Sequence, residues 1–163
     1  MISDTLNESY NLGSIDSIGD AVRLGISFED QGRDFYLEFA GNTSDPAAKD
    51  MFLYLAEEEK KHAQYLVDYL EGEVLLLETA SDAPDFKSAF SSEFMTDDLG
   101  EVGILLAAMR LERKTEDLYK MLSKRADDAE QKKFFKELAS VERGHYDLID
   151  GFLESSTQFR MQT

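Results

Sequence analysis

Four stretches of this chain each carry a seam that steps by 3, 4, 3, 4, 3 residues and passes through one glutamate. The first is Val22, Gly25, Glu29, Gly32, Tyr36, Phe39, and the second Phe52, Leu55, Glu59, His62, Leu66, Tyr69. The third is Leu105, Ala108, Glu112, Thr115, Tyr119, Leu122, and the fourth Phe135, Leu138, Glu142, His145, Ile149, Phe152. Such spacing keeps side chains on one face of an α-helix. A mostly apolar face must be covered, and four such faces with a carboxylate at each centre have few ways to satisfy one another. The expectation is an all-α fold, a four-helix bundle with the four glutamates at one level.

Boundary signals agree with this. Pro occurs only at 46 and 84, and the long stretches between turns are rich in Ala, Leu, Glu, Lys and Met, which are good helix formers. We read helices over 15–40, ended by Gly41-Asn42, and 46–71, with Asp45 as N-cap and Gly72 beyond the end. Two more cover 99–124 and 128–154, with Asp127 or Asp128 offering the cap oxygen. The connections near 42–44 and 125–127 are short, so the helices pair as two antiparallel hairpins, 15–71 and 99–155. Residues 1–14 are read as an arm and 156–163 as a frayed tail, all within one domain spanning 1–163. Residues 72–98 read as a long crossover, since a helix of this length spans ~38 Å and an extended return takes on the order of 11 residues.

The hairpins are also repeats of one another. Adding 83 to a number in the first gives its counterpart in the second: Glu29 to Glu112, Tyr36 to Tyr119, Phe52 to Phe135, Leu55 to Leu138, Glu59 to Glu142 and His62 to His145. Duplication of one hairpin explains this most simply.

Chemistry follows from the charges. Four buried carboxylates facing one another would take up protons or disrupt the core unless a cation joins them. Two divalent ions would balance four carboxylates, and neutral imidazoles add nitrogen ligands. In Glu59-x-x-His62 and Glu142-x-x-His145 the i, i+3 spacing puts both side chains on one face, one turn apart. These motifs use the only two histidines in the chain. Glu29, Glu59, His62, Glu112, Glu142 and His145 are thus the candidate metal ligands. Tyr36 and Tyr119 lie two turns from the lone glutamates with ring bodies suited to the core. Their hydroxyls are expected to bond the second carboxylates, Glu59 and Glu142, of the opposite hairpin, or else to bond water. Small residues at 32 and 115 either leave room beside the ions or permit close helix packing.

Composition removes other classes. With no Cys there can be no disulfide, thiol catalyst or thiolate-bound metal. A formal charge of −17 repels nucleic acid and anionic membrane surfaces. No apolar run approaches the ~20 residues of a membrane span, and the first ten residues have no Lys or Arg. A cytoplasmic protein without nucleic-acid or membrane partners is the default expectation.

Two Glu-x-x-His motifs with two lone glutamates on a four-helix bundle resemble the ferritin-like di-iron carboxylate proteins, and among them the rubrerythrin group. The resemblance covers the four seams. It implies two iron ions, with manganese also suited to the ligands. It makes Glu29 and His62 terminal ligands of one ion, Glu112 and His145 of the other, with Glu59 and Glu142 bridging. It further implies an oxidoreductase that reduces peroxide or oxidises Fe(II) with oxygen, and a homodimer; a non-catalytic iron-binding or delivery protein is the alternative. Two differences matter. The chain lacks the cysteine-bearing rubredoxin domain typical of the group, so electrons would come from an external donor. The extra glutamate that the group commonly has three residues after the lone one of the third helix is Thr115 here, while Glu116 is rotated off the seam.

Overall fold

Helices α1, α2 and α4, as delimited below, begin where a side-chain oxygen can take up a free backbone donor. The computed structural model describes residues 17–72 and 99–162, with side chains described over 17–72 and 102–155. Ser17 Oγ accepts from Asp20 N–H at 3.1 Å and opens α1, Ile18–Asn42. Asp45 Oδ1 accepts from Ala47 N–H at 2.9 Å, and Pro46 follows as the first residue of α2, Pro46–Leu70. The third helix, α3, spans Leu99–Arg125. Asp128, rather than Asp127, accepts from Gln131 N–H at 2.9 Å and opens α4, Ala129–Gln162.

The helix ends differ from the sequence expectation in two places. Gly41 does not stop α1, which continues to Asn42 and is closed by extended Thr43, whose N–H bonds Phe39 O at 3.0 Å. The stop comes from the Thr43–Asp45 turn, where Thr43 Oγ1 accepts from Asp45 N–H at 3.2 Å and commits the chain to the next cap. Nor does α4 fray after Glu154: it runs on to Gln162, through a segment with no Gly or Pro to break it. Gly72 does act as expected, with φ of 74° beyond α2. The arm expected over 1–14 and the crossover expected over 72–98, Gly72 aside, lie outside the described residues.

The four helices form an all-α bundle in which α1 packs on α2 and α3, and α3 on α4. Directions can be read from levels. Tyr119 meets Glu29 and Tyr36 meets Glu112, so α1 and α3 are antiparallel. Tyr69 lies against Phe134 and Phe135 while Tyr54 lies against His145, so α2 and α4 are antiparallel as well. With antiparallel hairpins, α2 and α3 therefore run in the same direction.

The apolar core is divided in two. One half gathers Tyr36, Met51, Phe52, Leu55, Leu105, Ala108 and Ile149; the other Val22, Phe28, Leu66, Leu118, Tyr119, Phe135 and Leu138. Between them lies a buried layer of glutamate and histidine. Each fully buried Leu contributes about 1.5–3 kcal/mol of transfer free energy, and two such halves can support a polar layer that would not fold alone. Among the described residues, no helix is long and apolar enough to cross a membrane.

Candidate metal centre

The seam that buries Phe and Leu on either side also buries the glutamate in its middle, so every predicted ligand reaches the core. Glu29 and Glu142 are fully buried, and Glu59, His62, Glu112 and His145 are no more than 4 % exposed. One ligand atom each from Glu29, Glu59, His62 and Glu142 lie within 4.8 Å of one another, and the same holds for Glu59, Glu112, Glu142 and His145. Glu59 and Glu142 belong to both groups. The helix spacing explains this: i, i+3 pairing brings each His beside its own Glu, and the antiparallel α2 and α4 bring the two pairs face to face. The imidazole rings stack 5.5 Å apart at 9°.

Eight buried oxygen and nitrogen atoms of these six side chains have no hydrogen-bond partner among the described residues. His62 Nδ1 comes within 2.7 Å of Glu142 Oε1 and 3.7 Å of Glu29 Oε2. On the other side His145 Nδ1 is 3.4 Å from Glu112 Oε2, 3.5 Å from Glu59 Oε1 and 3.7 Å from Glu142 Oε2. These contacts lack the alignment of hydrogen bonds. Buried polar atoms are normally satisfied, and donor sets of mixed carboxylate and imidazole that converge without bonding one another suit a divalent cation. The residues present therefore fit two metal ions, with four ligand residues available to each.

The protons of this cluster are displaced far from their ordinary equilibria. Burial and the neighbouring Glu112, Glu29 and Glu142 hold the Glu59 carboxyl well above the usual range. Burial, Glu29 and Glu112 push Glu142 up to about 8, against the pull of His62. Burial favours neutral His62, but Glu142 and Glu29 overcome it and raise the imidazole to about 10. Burial acts the same way on His145, where Glu112 is the strongest opposing charge and the ring is again raised. Glu112 is the exception: burial would raise it, yet the charge of His145 beside it and the hydroxyl of Tyr36 bring it down to about 2.

The tyrosines correct one expectation. Tyr36 Oη donates to Glu112 Oε1 and Tyr119 Oη to Glu29 Oε1, both in close hydrogen bonds. The acceptors are on the opposite hairpin but are the lone glutamates of α3 and α1, not Glu59 and Glu142. Because α1 and α3 are antiparallel neighbours, a residue two turns along one faces the glutamate of the other. Burial, then Glu112 for Tyr36 and Glu29 for Tyr119, keep both phenols protonated well beyond their ordinary range.

Gly32 and Thr115, read from the sequence as either room or close packing, differ. A Cβ at Gly32 would lie 3.4 Å from the Glu59 carboxylate, so that space is used by Glu59. Thr115 is buried and its hydroxyl donates to Leu111 O at 3.0 Å, inside its own helix. Sequence reading did not anticipate the burial of Glu116, which leaves the seam and yet is only 3 % exposed, with Lys120 Nζ at 2.7 Å. The i, i+4 spacing of Glu116 and Lys120 was the available signal.

A family model described as Rubrerythrin matches residues 20–153. Among solved structures, the chain is similar to a hypothetical protein from Pyrococcus furiosus, with a TM-score of 0.71 at 23% identity over 91% of this chain and 96% of that one. At this identity the likeness speaks for the fold. No curated protein matches the chain.

Proposed function

The chain belongs to the rubrerythrin family, whose model it matches over residues 20–153, and on that premise we propose that it is a di-iron protein performing iron-dependent redox chemistry. The observation that carries this is the convergence of unpartnered carboxylate and imidazole atoms on two adjoining sites that share Glu59 and Glu142. In this reading Glu29 with His62 would hold one ion and Glu112 with His145 the other, and Glu59 and Glu142 would serve both. Iron held there supplies one-electron steps to oxygen or hydrogen peroxide; manganese would suit the same ligands.

The chain's own residues set the conditions. Tyr36 and Tyr119 fix one oxygen of each lone carboxylate, orienting the other inward. The apolar halves on either side exclude water. Thr115 offers no carboxylate, so the ligand set keeps the symmetry of the repeat, with one terminal Glu and one His on each side. Iron held by such a symmetric ligand set would be open to both oxidants. With no Cys in the chain, reducing electrons come from an external donor, and a homodimer is the assembly we propose.

The test is anaerobic loading with Fe(II), iron analysis, and stopped-flow oxidation by oxygen and by peroxide. About two iron ions per chain, oxidised by either oxidant, are expected. Iron retained without turnover would make the chain a binding or delivery protein, and failure to bind iron would end the proposal. Thr115→Glu should shift preference toward peroxide; a wild type that uses peroxide alone would show that position 115 does not set it.

A further inference from the structure

The six ligand side chains are no more than 4 % exposed, so a donor outside the chain cannot touch them. Reducing electrons must cross a side chain that meets a ligand on one side and solvent on the other. Each imidazole lies against one such ring. Tyr65 stacks on His62 at 6.3 Å and 30°, and Tyr54 meets His145 edge-on at 6.4 Å and 81°. Both tyrosines are half-buried residues of α2.

The two contacts differ in origin. Tyr65 follows His62 by three residues on the same helix, where neighbours meet in any case. Tyr54 reaches across from α2 to α4, a contact that helix geometry alone does not supply. Burial, then Glu58, raise its phenol from the ordinary value against the pull of His145 and Lys61, which places the hydroxyl among these three side chains. Glu58 and Lys61 are themselves paired at 3.0 Å, and the Lys61 side chain is 44% exposed. One ring thus spans from a surface ion pair to a buried imidazole. The internal repeat shows that the bundle closes without such a ring. Adding 83 to 54 gives Glu137, which is exposed and pairs with Lys133 on its own helix.

We propose that Tyr54 is the place where electrons from an external one-electron donor enter the centre, passing through its ring to His145. This rests on the reading of the six ligands as an iron centre. The donor loses one electron and a ferric ion becomes ferrous; no bond at Tyr54 forms or breaks, and its hydroxyl keeps its proton. Electronic coupling falls steeply with the gap to be crossed, and an aromatic ring in contact with a ligand shortens that gap by its own width.

Because the chain has no Cys, any introduced thiol is a unique labelling site. Glu57→Cys puts a ruthenium photosensitiser one turn from Tyr54. Ser140→Cys puts it at the corresponding place on α4, one turn from Glu137; both positions are exposed. In oxidised, iron-loaded protein, electron injection after a flash is followed by bleaching of the ferric absorbance. Injection from 57 should be faster than from 140. Tyr54→Leu should slow it by about tenfold, the low end for groups that support a metal ligand, and Tyr54→Phe, which keeps the ring, should restore it. The reduction potential and iron content should be the same in all variants, a separation that a merely structural role for Tyr54 would not give. Equal rates from 57 and 140, or slowing by Tyr65→Leu but not by Tyr54→Leu, would overturn this assignment alone. Failure to bind iron would end both it and the reading on which it rests.

Discussion

At position 32 a missing side chain matters more than most that are present. A Cβ there would reach the Glu59 carboxylate at 3.4 Å, an ordinary contact. Gly32→Ala should therefore keep its metal and gain about 0.5–1 kcal/mol from helix propensity, read as a higher melting temperature. Gly32→Val presses branched methyls onto the carboxylate and should lose metal, measured as stoichiometry after dialysis; equal retention by both variants would contradict this. Tyr36→Phe leaves Glu112 Oε1 without its donor, and a metal affinity lower by roughly 10–100-fold is expected, measured by competition with a chelator. The six candidate ligands are named by the seams, and the structure brings those side chains together. The partners of the tyrosines were not legible, since a seam gives the face a residue occupies but not which neighbouring helix stands opposite. The repeat held the missing clue: Glu29–Tyr36 and Glu112–Tyr119 share a seven-residue spacing, which allows reciprocal pairing when their helices are antiparallel.

Among the elements, α2 depends most visibly on its cap. Asp45 is buried, accepts from Ala47 N–H, and precedes Pro46. Asp45→Ala should cost about 1 kcal/mol, within a range of ~0.5–2, measured by urea denaturation; Asp45→Asn should restore most of it. This start was legible because a capping side chain and a proline at the first helical position are local signals. The end of α1 was misread, since a glycine inside a sequence looks like a stop until the next turn is known. Gly41 has no positive φ and simply continues the helix, whereas Gly72 adopts the left-handed conformation that ends α2. The length of α4 was underestimated for the opposite reason: a run without breakers has no local mark at its end.

In the whole molecule, the two apolar halves meet at a layer of ionisable groups whose protonation changes on folding. Folding without metal raises Glu142 from 4.5 to about 8 and His62 from 6.5 to about 10. Stability from Glu142 is fully present below pH 4.5 and lost as pH rises through about 8; that from His62 is fully present below 6.5 and lost through about 10. Glu112, lowered to about 2, contributes above pH 4.5 and loses that contribution as pH falls through about 2. The metal-free protein should therefore melt at progressively lower temperature from about pH 6 to pH 10. Metal-loaded protein should be higher-melting throughout and flatter over that range, because ions that bind only the folded state stabilise it. Coincident curves would refute the linkage. The bundle and its polar layer could be read from the sequence, but the division of labour inside that layer could not, since it depends on which charges face one another. Glu59 and Glu142 each join a ligand group drawn mainly from the other hairpin. Neither hairpin owns a complete site, so an occupied centre ties their fates together. Native-state hydrogen exchange of the loaded protein should find a single cooperative unit spanning both hairpins, and the stripped protein should open as two.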